Sequence, residues 1–397
     1  MNNHKVTKYI RFECALFCVF LALFPIDSAF HSLWGTISPN NYIAALLFGC
    51  TFFFKKYKFY GSDTIIIIYF YYQLILSVTG PCGLDDRNTV FLFYYIFAFM
   101  LGRMSWSKKE CKFYSYSLLL GLIPVIAIVL SNVGPYSYFR STVSLSNEID
   151  QNYLTANMLF AESIILYYLK TAKRVWLKMI YIILLLASVT TILFLGSRGG
   201  MLGFITVFLV FTILSYKKKS WYIIPLIIIA SILILSIITS YMPSWMYRRF
   251  SFQSMFSPDS SLRTQIWKIY YNKYTGFNIF NQIFGAGRGA SRTLYQYATH
   301  NMYLKNLVDG GIIGLTLMFT VYTVILKRLI KNHNYIILAA AFGYLICALF
   351  LDLDDYRIFG VLLALTYMPH LESPEVVYSD FIRIKMRSRY SERKLSY

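Results

Sequence analysis

The sequence predicts an all-α polytopic membrane protein with about twelve transmembrane helices and one large external loop subdomain. The chain of 397 residues is 57% hydrophobic and only 14% charged, and its mean hydropathy is +0.52. Soluble domains, by contrast, carry about 25% charged residues. Many of its apolar runs approach or reach the roughly 20 residues that a helix needs to cross a bilayer. Short basic blocks separate these runs, as expected for loops between membrane helices.

Twelve apolar segments account for the predicted helices and place residues 1–397 in a single transmembrane domain. No small-residue cleavage site follows the first segment, so we interpret it as a retained span. The segments cover approximately 12–30, 40–54, 62–79, 88–102, 115–133, 152–169, 179–195, 201–215, 221–241, 300–326, 334–351 and 356–370.

The connections between these segments alternate in charge. One set is rich in lysine and arginine, as cytoplasmic loops are, and we predict that it faces the cytoplasm. This set includes a basic tail over 371–397, so both termini are predicted to be cytoplasmic, consistent with an even number of spans. The basic connections are "KKYK" at 55–58, "RMSWSKKECK" at 103–112, "KTAKRVWLK" at 170–178, "YKKKS" at 216–220 and "KRLIKNH" at 327–333.

The only long connection, 242–299, falls in the other set and is predicted to be an external loop subdomain. Within it, "PDSSLRTQIWKIYYNKYTG" predicts a helix that is capped by Asp259 or Ser260 and ends at Gly276. Arg263 and Trp267 are four residues apart and therefore share a face of this helix.

Composition also excludes several classes of function. The net charge of +20 arises from blocks between membrane segments, and therefore does not indicate nucleic-acid binding. The six cysteines form no CxxC or Cys/His cluster, so we expect neither a disulfide framework nor a metal site. No P-loop or dinucleotide fingerprint is present, and no cofactor is predicted.

Arginines in polar, glycine-containing turns are candidates for binding an anion. Arg198 lies in "FLGSRGGMLGF" between two apolar segments, where a charge near membrane depth is costly unless it is paired or lies in a water-filled cavity. Arg288 and Arg292 lie in and after "FGAGRGAS", whose backbone N–H groups could also bind an anion, although a plain loop is the simpler interpretation. Each arginine could alternatively be an ordinary surface or turn residue. Arg140, between the fifth and sixth segments, is included in the same substrate-binding set.

The stretch from His300 begins a predicted span at its external end. A helix N-terminus favours anions and the neutral form of histidine, so His300 could act as a base while Asn301 contacts substrate. An interfacial histidine without a function is the alternative. Lys305 and Asp309, four residues apart, are predicted to form a structural ion pair.

Two further features of this region have several interpretations. Gly310, Gly311 and Gly314 indicate close helix packing. The acidic group Asp352, Asp354 and Asp355 could bind a cation, orient Arg357 or Arg198, or form a solvated turn.

Four short motifs in the second half of the chain resemble the O-antigen ligase/polymerase superfamily. They are "SRGG", "SLRTQIW", "FGAGRG" and "HNMYLKNLVDGGIIG", the last with His300, Gly311 and Gly314 at the spacing of that superfamily. The resemblance covers about Leu193 to Leu315, and the first half of the chain matches only in topology.

The resemblance implies a GT-C-like glycosyltransferase at the periplasmic face of the bacterial inner membrane, with no nucleotide sugar and no required metal. Arg198, Arg263 and Arg288 would bind the diphosphate of an undecaprenyl-diphosphate-linked oligosaccharide, and His300 would activate the acceptor hydroxyl. The catalytic set is thus His300, Arg263 and Arg198. The implied partners are the lipid-linked oligosaccharide, membrane lipid and a chain-length regulator protein. The substrate-binding set is Arg288, Arg292, Asn301, Trp267 and Arg140.

Three functions fit these features. An O-antigen polymerase is favoured by the "SRGG" form and by a composition rich in tyrosine, phenylalanine, isoleucine and lysine. An O-antigen ligase, which transfers the glycan to lipid A-core, is the alternative. The third hypothesis is a lipid-linked oligosaccharide flippase, which is not an enzyme. The long 242–299 loop and the polar cluster on one face disfavour it.

Overall fold

The computed structural model describes residues 11–26, 39–52, 59–83, 86–104, 106–132, 151–216, 263–294, 297–353 and 357–368. Of the residues in these ranges, 84% are helical and none forms a strand. The predicted all-α fold class is therefore confirmed.

The helices of the described ranges follow the predicted apolar segments closely. Each predicted segment except 221–241 corresponds to one helix, and a short 3-10 turn (Phe24–Ile26) extends the first. Segment 221–241 and the tail 371–397 lie outside the described residues. The helices are α1 (Phe12–Leu23), α2 (Pro39–Phe52), α3 (Asp63–Thr79), α4 (Asp86–Gly102), α5 (Lys108–Asn132), α6 (Gln151–Thr171), α7 (Val175–Leu195), α8 (Arg198–Tyr216), α9 (Arg263–Thr275), α10 (Ile279–Phe284), α11 (Ala290–Thr293), α12 (Met302–Lys331), α13 (Tyr335–Cys347) and α14 (Arg357–Tyr367).

Four of these helices are long and apolar enough to cross a membrane: most of α5, and the whole of α7, α8 and α12. Helices α1, α3, α13 and α14 are also apolar but shorter. The length and composition of these helices support the prediction of a membrane protein. The count of twelve spans and the proposed domain limits stay predictions.

Side-chain contacts join the basic connections at one end of the helices. Arg11, before α1, binds Glu110 at the start of α5, with Nε 2.7 Å from Oε1. Arg103, just after α4, binds Asp63 at the start of α3, with Nη2 2.5 Å from Oδ1. We call this end, where α3 and α5 begin and α4 and α12 finish, the basic end.

The opposite end, where α3 finishes and α8 and α12 begin, carries a small helical module formed by α9, α10 and α11. We call it the polar end. The helix predicted within 242–299 is confirmed as α9, and the Gly276 N–H closes it by donating to the Asn272 carbonyl at 3.1 Å. Its Ile266 and Tyr270 are buried against Val308 of α12. The proposed caps Asp259 and Ser260 lie outside the described residues.

Close packing between α8 and α13 positions the first residues of α8. A Cβ atom added to Gly203 would lie 2.4 Å from the Cys347 sulfur, so a larger residue here would force the Cys347 side chain or a helix to shift. The Cys347 thiol also donates a hydrogen bond to the Gly199 carbonyl at 3.3 Å. Arg198 therefore begins its helix directly beside the end of α13.

Candidate active site

The backbone around His300 is fixed by contacts on both sides. The Asp352 Oδ1 accepts a hydrogen bond from the Thr299 hydroxyl at 2.6 Å and another from the Asn301 N–H at 2.9 Å. The Thr299 carbonyl accepts from the Trp267 indole N–H at 3.0 Å. His300 itself has φ of 47°, a left-handed conformation that is uncommon outside glycine. Such a conformation persists where its surroundings determine it, and here Asp352 and Trp267 provide that constraint.

The imidazole of His300 is half-buried at the start of α12. Its Nδ1 is buried and has no hydrogen-bond partner among the described residues. The next residue, Asn301, caps α12, since its side-chain oxygen accepts from the Leu304 N–H at 2.9 Å. Asn301 thus has a defined structural contact. Among the described residues, by contrast, no hydrogen bond to the His300 Nδ1 stabilises the fold.

The Phe350 ring brings the starts of α8 and α9 together. A Cβ atom added to Gly199, the neighbour of Arg198, would lie 3.2 Å from the Phe350 Cβ. The Arg263 guanidinium carbon is 5.9 Å from the centroid of the same ring, and the Trp267 ring centroid is 6.4 Å from it. Both arginines are half-buried. Because Trp267 also contacts the residue before His300, the starts of α8, α9 and α12 lie around the loop that contains Phe350.

Arg288 occupies a separate position against α3. It is only 2% exposed, and its Nη1 lies 3.5 Å from the Gln73 Oε1. Its backbone N–H donates to the Leu76 carbonyl at 2.8 Å. Arg292, in contrast, is exposed on α11. The predicted substrate-binding arginines therefore lie in different environments, one buried and one at the surface.

The glycine-rich turn surrounds the carboxylate of Asp309. Its Oδ1 accepts from the Ser291 N–H at 2.8 Å, and its Oδ2 accepts from the Gly289 N–H at 3.3 Å. The Lys305 ammonium is 3.5 Å from the same Oδ2, and both residues of this pair are 4% exposed. The predicted Lys305–Asp309 ion pair is confirmed. Two of the N–H groups that could have bound a substrate anion are occupied by a carboxylate of the protein itself.

Helix α12 is interrupted just after Asp309. Gly311 has φ of 65° and ψ of −165°, which breaks the helical conformation. The Val308 carbonyl accepts from the Ala286 N–H at 3.1 Å, and the Tyr72 hydroxyl lies 2.8 Å from the Gly310 carbonyl oxygen. These contacts satisfy carbonyl groups that the break would otherwise leave without partners in an apolar environment. The first turns of α12, which follow His300 and its neighbour Asn301, are thereby oriented separately from the rest of the helix.

Tyr72, Gln73 and Phe350 were not identified from the sequence. A glutamine beside a tyrosine within the apolar segment 62–79 is a weak signal for the first two, because polar groups at membrane depth require partners. Phe350 gave no signal, since it lies in an apolar run. Asp352 was considered for a cation or an arginine, and its observed contacts are with Thr299 and Asn301. Arg140, Asp354 and Asp355 lie outside the described residues.

Fold and site together define an α-helical membrane protein with an arginine- and histidine-containing site at one end of its helices. Residues 182–319 match the family described as O-antigen ligase, which confirms the resemblance to the O-antigen ligase/polymerase superfamily. The match covers about a third of the chain and includes Arg198, Arg263, Arg288 and His300. Members of this family are glycosyltransferase-like enzymes. No curated protein matches the chain.

Proposed function

We propose that this protein is an O-antigen polymerase of the bacterial inner membrane. It would join undecaprenyl-diphosphate-linked oligosaccharide repeat units into a polysaccharide at the periplasmic face. The observation that carries the proposal is the placement of His300. Asp352 and Trp267 hold it beside the starts of α8 and α9, which supply Arg198 and Arg263 within the matched family domain.

The proposed reaction is the attack of an acceptor sugar hydroxyl on the anomeric carbon of the donor glycan. A bond forms between the hydroxyl oxygen and the anomeric carbon, while the bond from that carbon to the diphosphate oxygen breaks. His300 accepts the hydroxyl proton, and undecaprenyl diphosphate leaves with the electron pair. Attack from the side opposite the diphosphate inverts the configuration.

Arginines supply the positive charge in this scheme, and no metal ion takes part. Charge develops on the diphosphate as the bond breaks, and preorganised donors at that point stabilise the transition state. We assign this role to Arg198 and Arg263, because both are half-buried, Arg263 lies over the Phe350 ring, and Gly199, the neighbour of Arg198, packs against Phe350. Arg288, which the resemblance assigns to the diphosphate, is buried against α3, and we therefore propose that it binds another part of the lipid-linked substrate, as does Arg292.

The remaining substrate contacts are also proposals. The planar guanidinium of each arginine suits bidentate binding of phosphate oxygens. Trp267 offers an aromatic surface for a sugar ring. Asn301 and Arg140 complete the proposed substrate-binding set.

The acceptor distinguishes the polymerase from its alternative. A polymerase uses a second lipid-linked repeat unit, and a chain-length regulator protein is a proposed partner. A ligase would use lipid A-core instead, at the same donor site. The "SRGG" form and the composition, with 35 tyrosines and 33 phenylalanines, favour the polymerase.

Gel analysis of lipopolysaccharide from a deletion strain tests the proposal. We expect core with a single repeat unit in the deletion strain, and a full ladder when the wild-type gene is returned. Core without any repeat unit would indicate a ligase. Lipid-linked units that accumulate only on the cytoplasmic face would indicate a flippase.

Complementation with variants tests the residue roles. His300→Ala and Arg263→Ala should each lower transfer by about a hundredfold or more, abolishing long chains at normal protein levels. Lys268→Ala, an exposed basic residue on the same helix as Arg263, is the matched control and should restore the full ladder. A full ladder from either His300→Ala or Arg263→Ala would contradict the assigned roles.

A further inference from the structure

A stack of alternating rings and guanidinium groups lies at the basic end, remote from His300. The Arg103 Cζ is 3.6 Å from the Phe99 ring centroid and 3.3 Å from the Tyr367 ring centroid. The Arg328 Cζ is 3.9 Å from the Tyr367 centroid and 3.8 Å from the Tyr60 centroid. We call these five side chains the cation stack.

Among the described residues, one carboxylate, that of Asp63, binds a guanidinium group of the cation stack. Asp63, only 1% exposed, accepts from the Arg103 Nε at 3.0 Å and Nη2 at 2.5 Å, and from the Tyr367 hydroxyl at 3.0 Å. Arg328 is half-buried, and its Nε is buried without a hydrogen-bond partner among the described residues. Within the described ranges, the Asp63 carboxylate thus neutralises the charge of Arg103, and no carboxylate forms an ion pair with Arg328.

The geometry of the stack leaves one part of Arg328 available. Rings cover the faces of its guanidinium group, so further ligands can approach only at the edge, where the N–H donors lie. That edge matches two oxygens of a phosphate group and binds them in a bidentate manner. Because the rings already restrict the side chain, little conformational entropy remains to be lost on binding.

The position of the stack suits a phosphate ligand. It lies at the end of α12, a helix long and apolar enough to cross a membrane, and basic residues at such an end are attracted to the anionic headgroups of lipids. Lys327 and Lys331, exposed on the same helix end, add to the positive potential. Topology alone requires only positive charge in this connection, and a guanidinium held between two rings exceeds that requirement.

We propose that the edge of Arg328 in the cation stack is a binding site for a phosphate group. Two sources of this chemistry are possible, the headgroup of an anionic phospholipid and a soluble inorganic or organic phosphate. The site is separate from the proposed glycosyltransferase site at the polar end. Its occupancy can therefore be tested whether or not the proposed function is correct.

Native mass spectrometry of the purified full chain tests the proposal with phosphatidylglycerol as the probe and diacylglycerol, which lacks phosphate, as the control lipid. Arg328→Gln should weaken phosphatidylglycerol binding by about tenfold, the loss of one charge-assisted bidentate contact. Lys331→Gln removes the same charge at the same end without touching the stack, and should change binding by less than about twofold. Equal losses in the two variants, or equal retention of phosphatidylglycerol and diacylglycerol by the wild type, would overturn the proposal.

Two additional arms complete the experiment. If inorganic phosphate displaces phosphatidylglycerol from the wild type but not from Arg328→Gln, the phosphate-binding site is confirmed and its ligand is a soluble phosphate. If inorganic phosphate does not displace the lipid, the ligand is the phospholipid headgroup. Arg328→Lys covers the case in which Arg328→Gln does not fold, because it retains the charge and removes the planar fork. Full retention of the phosphatidylglycerol preference by Arg328→Lys would contradict bidentate binding.

Discussion

The single carboxylate of Asp352 fixes the backbone on both sides of His300. Its Oδ1 accepts hydrogen bonds from the residues directly before and after His300. A non-glycine residue in a sparsely populated backbone conformation costs on the order of 1–3 kcal/mol, and surrounding contacts must stabilise it. The backbone strain at His300 is thus balanced by two bonds to one oxygen.

Removal of this carboxylate should reduce turnover more than binding. In Asp352→Ala the Thr299 hydroxyl and the Asn301 N–H lose their acceptor, so the imidazole is no longer fixed in place. On the proposed function, we expect kcat to fall by about tenfold to a hundredfold, because small misplacements of a catalytic group have effects of this size. KM should change little, since the diphosphate is bound by arginines.

The amide variant separates this positioning role from other roles. Asp352→Asn retains an oxygen acceptor and should keep much of the activity, as measured by steady-state transfer between lipid-linked repeat units. If Asp352→Ala raised KM without lowering kcat, Asp352 would contact substrate directly. If Asp352→Asn were as inactive as Asp352→Ala, the negative charge rather than the hydrogen bonds would be required.

At the scale of secondary-structure elements, the break in α12 links the small helices of the polar end to the membrane helices. A Cβ atom added to Gly311 would lie 2.4 Å from the Ile283 carbonyl oxygen and 2.5 Å from the Gly285 nitrogen. The Tyr72 hydroxyl of α3 lies 2.8 Å from the carbonyl oxygens of both Phe284 and Gly310. Helix α3, α10 and the two parts of α12 therefore meet at this break.

Gly311→Ala should destabilise the protein by more than about 1 kcal/mol, because alanine meets both the backbone contact and the positive φ of 65°. Gly276→Ala is the matched control. Its added Cβ would lie no closer than 3.5 Å to its neighbours, so we expect little change. Thermal unfolding of both variants in detergent measures the difference. A Gly311→Ala protein as stable as Gly276→Ala would mean that α12 can continue through this position without a break.

The sequence predicted the elements of the polar end better than their contacts. Local signals were sufficient for α9, where Arg263 and Trp267 share a helix and Gly276 follows its end. The break at Gly311 could not be predicted by hydrophobic periodicity, because apolar residues continue on both sides of it. The role of Gln73 also could not be predicted, since its contact with Arg288 joins residues 215 positions apart.

At the scale of the whole molecule, the separation of charge along the sequence corresponds to two ends of the helices. The basic connections meet at the basic end through Arg11 with Glu110 and through Arg103 with Asp63. The candidate active site lies at the polar end. Charge patterning could predict this division, because each connection carries its own signal. It could not predict which residues of the polar end touch, since that depends on packing between distant helices.

The proposed function requires the polar end to face the periplasm, and cysteine labelling tests that orientation. Ile279, 71% exposed on α10, represents the polar end, and the exposed Lys331 at the end of α12 represents the basic end. In a Cys82→Ser background, a thiol reagent that cannot cross the inner membrane should label Ile279→Cys in intact cells. Lys331→Cys should react only after the membrane is permeabilised, which also confirms that its thiol is accessible. Labelling of Lys331→Cys alone in intact cells would place His300 on the cytoplasmic side, where the lipid-linked glycan would have to react before its translocation.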